Sequence, residues 1–375
     1  MSHSPLRIAR VNTSAIRDNV AQIRKLTGVP DVLIVVKANA YGHGMVPAAQ
    51  AALAGGATWL GVADIDEALA LRAAGITAPV LAWIHAPDET FDEAVAADIT
   101  LGLVSVAQLH AAAEAGQRVG KVPHVHIKVD TGLSRNGANR HQWAQMFAAA
   151  AELQVQGLLQ VEGLFSHLSN TSPADDLAQL EVFTGVIAQA QAAGVTPHYI
   201  HLAASLAALT LPETRFSMVR SGIAAYGISP TEDMRPSDFG LTPAMTLEAK
   251  VVAVRQANEG DGVSYGYLHR TGANSTLVLV PLGYGDGINR DASSHGPVAI
   301  NGKNYSVAGR IAMDQFVVDV GSDEVAVGDV AVLFGDPAVG APSVHDWAEA
   351  ADSIGYEIVT RLGGQRLHYE YVESV

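Results

Sequence analysis

Between residues 30 and 222 the chain repeats one pattern, a short apolar run followed by a stretch of mixed apolar and polar positions. Eight such runs stand out: Val32 to Val36, Trp59 to Ala63, Val80 to Ile84, Thr100 to Val104, Val125 to Val129, Val161 to Phe165, Tyr199 to Ala203 and Ser217 to Val219. Their length and β-branched content predict buried strands. The stretches between them carry helix signals, such as Asp64 ahead of Glu67-Ala68-Leu69-Ala70-Leu71 with Gly75 behind, and Ser105 ahead of Gln108-Leu109 with Gly116 behind. A doubly wound open sheet also alternates strand and helix, but eight units within about 220 residues fit a closed (β/α)8 barrel better. After about Pro236 the pattern changes to short alternating runs bounded by Gly, Asp and Asn, as in Glu259-Gly260-Asp261-Gly262 and Asn301-Gly302-Lys303-Asn304. These predict hairpins of a mainly antiparallel β domain, interrupted by one helix over Ser343 to Ile354. The proline-rich, polar stretch Ser229 to Asp238 is the linker candidate. The expected organisation is therefore α/β: a barrel domain over 1–236 and a β domain over 237–375.

A length of 375 residues agrees with two domains. No apolar run approaches the roughly 18 residues of a membrane span, and Met1-Ser2-His3-Ser4-Pro5-Leu6-Arg7 lacks the pattern of a secretory signal, so the cytoplasm is the expected location. The formal charge of −15 argues against nucleic acid or an anionic membrane as partner. With no cysteine, disulfides, thiolate metal sites and cysteine nucleophiles are excluded. His85, His124, His126 and His198 lie near strand ends without metal-site spacing, and no catalytic metal is expected.

Active sites of (β/α)8 barrels lie at the carboxyl ends of the strands. Lys37, Asp130, Arg135, His167, His201, Ser205 and Arg220 all end or follow a predicted strand. Lys37 is the most informative, because it closes the run Val32-Leu33-Ile34-Val35-Val36. A lysine there either reaches for solvent along its methylene stem or is desolvated toward the neutral, nucleophilic amine that a Schiff base requires. The loops after the seventh and eighth strands, where such barrels commonly bind phosphate, read His201-Leu202-Ala203-Ala204-Ser205 and Arg220-Ser221-Gly222-Ile223. A serine hydroxyl and a glycine there suit phosphate, and are equally ordinary turn residues.

The segment Val35-Val36-Lys37-Ala38-Asn39-Ala40-Tyr41-Gly42-His43-Gly44 closely resembles the pyridoxal phosphate attachment motif of the alanine racemases, and further motifs of that family recur in order along almost the whole chain. The resemblance implies a barrel followed by a β domain, pyridoxal 5'-phosphate on Lys37, and phosphate ligands at Ser205, Gly222, Ile223, Tyr41 and Tyr356. It implies that Arg220, in Met218-Val219-Arg220-Ser221-Gly222, contacts the cofactor's pyridine nitrogen. Many pyridoxal enzymes place a carboxylate there. An arginine, whose pKa lies above about 12, leaves that nitrogen unprotonated. Arg135, within Lys128-Val129-Asp130-Thr131-Gly132-Leu133-Ser134-Arg135, resembles the residue that orients neighbouring groups and the cofactor's phenolic oxygen. Lys128 stands where family members carry a carbamylated lysine, and is equally readable as an ordinary strand lysine. Met313 and Asp314 match the contact to the substrate carboxylate, and Tyr284, with Tyr356, matches the entrance layer.

Racemisation needs acid/base groups on both faces of a planar intermediate. Lys37 serves one face and Tyr265 matches the family's second base. A tyrosine pKa near 10 must be lowered for that task, and the resemblance suggests His167 with a network through His201 and Arg220. The resemblance also implies a homodimer in which Tyr265 reaches the barrel of its partner. Its implied reaction interconverts L- and D-alanine and supplies D-alanine to peptidoglycan. Ala204, Ala312 and Leu133 stand where the family commonly has asparagine, cysteine and methionine. Other readings are a racemase of another small amino acid such as serine, a barrel-type pyridoxal phosphate decarboxylase, or a non-enzymatic cofactor carrier. The decarboxylases rely on a cysteine that this chain lacks, and the carriers resemble only the first domain.

Overall fold

The computed structural model describes residues 5–373. Strand β1 (Arg7–Asn12) and a helix (Thr13–Thr27) precede the eight parallel strands β2 (Asp31–Val35), β3 (Trp59–Val62), β4 (Val80–Ala82), β5 (Thr100–Leu103), β6 (His124–Lys128), β7 (Gln160–Phe165), β8 (Tyr199–His201) and β9 (Met218–Ser221). Each falls on one of the eight apolar runs. Neighbouring strands pair in the order β8-β7-β6-β5-β4-β3-β2-β9. Between β9 and β8, the Arg220 N–H donates to Ala203 O at 3.0 Å and the Ile200 N–H to Ser217 Oγ at 2.8 Å, so the sheet comes round nearly to a closed barrel.

The runs are apolar because these strands are covered on both faces. Val32, Leu33, Ile34, Leu60, Leu81, Leu101 and Ile127 are all fully buried, each side chain contributing about 1.5–3 kcal/mol. The intervening helices start where their caps require: Asp64 Oδ1 accepts the Glu67 N–H at 2.9 Å and Ser105 Oγ accepts that of Gln108 at 3.2 Å.

The second unit is mainly antiparallel. Its strands are β10 (Met245–Lys250), β11 (Ala253–Ala257), β12 (Gly262–Val263), β13 (His269–Arg270), β14 (Ser275–Val280), β15 (Pro297–Ile300), β16 (Lys303–Ser306), β17 (Phe316–Asp319), β18 (Val330–Phe334) and β19 (His368–Val372). They form a six-stranded sheet β16-β15-β18-β10-β1-β19, a three-stranded sheet β11-β14-β17 and the ribbon β12-β13. The expected hairpin at Asn301-Gly302 joins β15 to β16, with both turn residues at positive φ, 50° and 78°. The one expected at Glu259 to Gly262 is not a hairpin between its flanking strands: β11 pairs with β14 and β12 with β13. Here the Gly260 N–H is taken by Thr271 O, which turns the chain into the ribbon. The predicted helix over 343–354 is shorter, Val344–Ala350 with Ser343 as its cap, and a second helix, Gly355–Thr360, follows.

By compactness the chain divides into 20–40 with 48–225, the barrel unit, and 1–19, 41–47 and 226–375, the β unit. Strand β1 pairs with β10 and β19, so the pairing puts Arg7–Asn12 with the β unit, where a single cut at 236 would put it with the barrel.

Candidate active site

Arg220, at the end of β9, is buried in the barrel unit, 5% exposed. Its Nη1 donates to His201 O and meets His201 Nδ1, both at 3.0 Å. Its Nη2 donates to Ser166 O at 2.7 Å and Leu202 O at 3.1 Å, and meets His167 Nδ1 at 3.1 Å. Five acceptor atoms at the ends of two strands, β7 and β8, hold the guanidinium in one orientation. Burial lowers its pKa to about 9, below the ordinary arginine value but above neutrality, so it remains a cation.

That cation faces histidines held neutral. Burial first, then Arg220, Arg135, Lys128 and Lys37, pulls His167 down to about 3. Burial and Arg220 put His201 well below its ordinary value. A guanidinium has only donors, so His201 Nδ1 accepts and its Nε2 carries the proton toward His126 Nδ1, 2.9 Å away. His126 is fully buried, and a Cβ added at Gly163 would come within 2.3 Å of its ring, so glycine is required on β7 at that point. The fixed positive charge in contact with His167 is therefore Arg220, a member of the same His201–Arg220 network.

Lys37 follows β2 and is half-buried, with Nζ 5.9 Å from the centre of the Trp83 ring. Burial and then Arg135 lower its pKa, opposed by Glu67. The desolvated reading of this lysine, rather than the strand-edge one, fits that environment. After Lys37 the backbone does something the sequence does not announce: Ala38, Asn39, Ala40 and Tyr41 all take left-handed dihedrals, with φ of 52°, 53°, 56° and 52°. Four consecutive non-glycine residues there cost roughly 1–2 kcal/mol each, a strain that persists only where surrounding contacts over-determine it. Two such contacts are visible. The Ala40 N–H donates to Val36 O at 2.8 Å, and the Ala38 N–H donates to Glu67 Oε1 at 2.6 Å.

Arg135 is exposed in the loop after β6, where Asp130 Oδ1 accepts the N–H groups of Gly132 and Ser134 at 3.0 and 3.1 Å. Lys128 is buried, and burial, Arg220, Arg135 and Lys37 lower it to about 8 against the opposing pull of Asp130. Ser205 and Gly222 are neighbours: the Gly222 N–H donates to Ser205 Oγ at 3.0 Å, and Ile223 opens the single turn that follows. Ala204, immediately before Ser205, caps the helix Ser205–Thr210 without any side-chain bond.

The remaining predicted site residues lie in the β unit. Tyr41 and Tyr356 have ring centres 6.2 Å apart, Tyr41 also lies 5.3 Å from Tyr226, and burial pushes Tyr356 up to about 12. The Tyr284 turn is stapled to the Met313 loop, with the Tyr284 N–H donating to Ala312 O at 3.0 Å and the Gly285 N–H to Met313 O at 2.8 Å. Asp314 is held by Arg366 at 2.5 Å. Tyr265 lies at the tip of the β12-β13 ribbon and is 73% exposed. Thus Lys37, Arg135, His167, Ser205, Arg220, Gly222 and Ile223 lie in the barrel unit, and Tyr41, Tyr265, Tyr284, Met313, Asp314 and Tyr356 in the β unit. Glu67, Trp83 and His126 escaped the sequence-level site reading. Only Glu67 left a signal, its capping-box spacing after Asp64. Among the described residues, no group of three or more His, Asp or Glu side chains could hold a metal.

A nearly closed parallel barrel with a desolvated lysine and a buried arginine at its strand ends, continued by an antiparallel β unit, defines a two-unit barrel enzyme. Residues 11–230 match the family "Alanine racemase, N-terminal domain" and residues 244–371 the family "Alanine racemase, C-terminal domain". The chain is 49% identical over 362 residues to the alanine racemase of Salinispora tropica, covering 96% of each, and 48% identical over 358 residues to that of Thermobifida fusca, covering 95% of each. The crystal structure of alanine racemase from D-cycloserine-producing Streptomyces lavendulae superposes with a TM-score of 0.97 at 43% identity, covering 100% of this chain and 99% of the other. The chain belongs to the alanine racemase family, whose members are isomerases.

Proposed function

We propose that this chain interconverts L- and D-alanine with pyridoxal 5'-phosphate as cofactor, using Lys37 and Tyr265 as its two acid/base groups. The observation that carries the reading is the Lys37 amine, lowered toward its neutral form in the same unit as a buried, fully oriented Arg220. The donor set suits the cofactor. Lys37 offers an amine, Ser205 and Gly222 put a hydroxyl beside a backbone N–H, Ile223, Tyr41 and Tyr356 are the further phosphate candidates, and Arg220 is a cation able to approach a ring nitrogen without giving up a proton.

When bound, the cofactor supplies an electron sink that acidifies the substrate's α-proton. Lys37 Nζ takes or returns that proton on one face, and Tyr265 Oη does so on the other. Arg220 is held by carbonyls and neutral histidines, so its charge is not cancelled by a carboxylate and stabilises a tyrosinate nearby. Met313, Asp314, Tyr284 and Arg135 are the candidates for orienting substrate at the entrance. Because Tyr265 is exposed at a ribbon tip, it is available to a second copy of the chain, and the reading includes a homodimer with composite sites, acting in the cytoplasm and supplying D-alanine for peptidoglycan. Among the described residues no helix is long and apolar enough to cross a membrane.

The test is chiral chromatography of L-alanine and, separately, L-serine after incubation with cofactor-loaded protein, with Lys37→Ala alongside. Convergence to equal alanine pools, lost in the variant, supports the reading; convergence of serine alone, or release of carbon dioxide, overturns it. Mixing inactive Lys37→Ala and Tyr265→Phe subunits tests the composite site, because each hybrid would regain one intact Lys37–Tyr265 pair. A mixture that stays inactive despite forming hybrids would show that both bases come from one chain.

A further inference from the structure

We propose that Glu67 is a positioning residue for Lys37, its carboxylate tying the first amide of the left-handed turn to the end of strand β3. The two oxygens are used separately: Oε1 accepts the Ala38 N–H at 2.6 Å, and Oε2 accepts the Ala63 N–H at 2.8 Å. Ala38 follows Lys37 directly and Ala63 follows the last residue of β3, which pairs with β2. The carboxylate thus bridges the exits of two adjacent strands, and Lys37 sits at one of them.

The arrangement is built rather than incidental. Glu67 lies in the first turn of the helix Ile65–Ala73, where its own N–H is held by the cap residue Asp64, so the carboxylate is anchored on a rigid element and near the positive end of the helix dipole. Charge-assisted hydrogen bonds to backbone N–H groups are among the stronger polar contacts. The turn they hold has four residues in a disfavoured conformation. Without Glu67, the Ala38 amide would lose its partner, and the backbone of Lys37 would be free to relax toward an ordinary strand exit. The position of the lysine amine depends on that backbone. Glu67 also bears a negative charge that moderates the lowering of Lys37. The functional consequence rests on the role proposed above for Lys37; the structural role of Glu67 does not.

The variants are Glu67→Gln, which keeps shape but replaces one acceptor by a donor, and Glu67→Ala, with Asp66→Asn as a control that removes an exposed acid from the same helical turn. Amide hydrogen exchange at Ala38 reads the turn directly. Pyridoxal phosphate capture, trapped with borohydride and located on Lys37 by mass spectrometry, reads the lysine, and steady-state kinetics separate kcat from KM. Expected in Glu67→Gln are Ala38 exchange about tenfold faster, the size of one lost charge-assisted bond, slower capture on Lys37, and a fall in kcat larger than any change in KM. Asp66→Asn should match the parent. Ala38 exchange at the parental rate in Glu67→Gln would overturn the proposal, as would equal acceleration throughout the barrel, which would indicate general destabilisation. If the parent captures no cofactor, the functional reading fails while the exchange measurement still decides the part played by Glu67.

Discussion

The mouth of the barrel and the tip of the β12-β13 ribbon treat their functional side chains in opposite ways. Arg220 is 5% exposed and has five hydrogen-bond partners, all within its own unit. Tyr265 is 73% exposed, and its neighbours Tyr267 and Leu268 are 59% and 53% exposed. A buried polar group must be satisfied where it is, and the Arg220 guanidinium finds its acceptors within one chain. These three large side chains near one ribbon tip are left open to solvent, which is what the proposed homodimer requires. The contrast separates a proposed site residue that the fold itself holds in place from one that the fold leaves free.

Substitutions can break that contrast or sharpen it. The largest effects should be on turnover: Lys37→Ala and Tyr265→Phe each remove a proposed acid/base group, and racemisation should fall by about 10²–10⁴-fold, measured by loss of optical rotation. Next is Arg220→Met, which strands the carbonyls of Ser166, His201 and Leu202 and should cost about 3 kcal/mol in denaturant unfolding. Tyr265→Phe should change the same measurement by less than about 0.5 kcal/mol. A Tyr265→Phe protein as destabilised as Arg220→Met would erase the distinction.

The pH dependence of stability gives a smaller effect. His126 is lowered from its ordinary value to about 3, chiefly by burial and then by Arg220 and His124. It is neutral when folded and takes up a proton when unfolded. Its contribution is therefore complete above the unfolded pKa of about 6.5 and is lost as the pH falls toward 3, by about 1.4 kcal/mol per pH unit. Replacing His126 by Asn should flatten that slope by one proton in urea titrations run between pH 4 and 6.5. The smallest change concerns Ala204, a cap position without a capping side chain. Ala204→Asn should raise stability by about 1 kcal/mol, seen as a shift in the urea midpoint.

The eight barrel strands were legible because each is buried on both faces, which requires a continuous apolar run. Six of their ends were read one or two residues long, as at Val80–Ala82 and Tyr199–His201, because apolar residues continue past the last ladder bond into the barrel mouth; β7 ends at Phe165 as read, and β9 runs two residues further than read, to Ser221. Asn301-Gly302 was legible because only such residues suit positive φ at both turn positions. The pairing of β1 with β10, Arg7 opposite Ala249, was not, since nothing local in either strand names a partner so distant in sequence. Lys37 and Arg220 could be picked out by type and place. Glu67 could not, because its spacing from Asp64 describes a helix start and says nothing of Ala38.

By itself the sequence determined the order of elements, the absence of thiol chemistry and which strand ends carry reactive side chains, because periodicity and residue type act locally. Tertiary structure decided that His126, His167 and His201 are neutral, that Arg220 has one orientation and that Ala38 to Tyr41 are left-handed. Each of those depends on burial, or on a hydrogen-bond partner brought from another strand, and neither is a property of a segment alone.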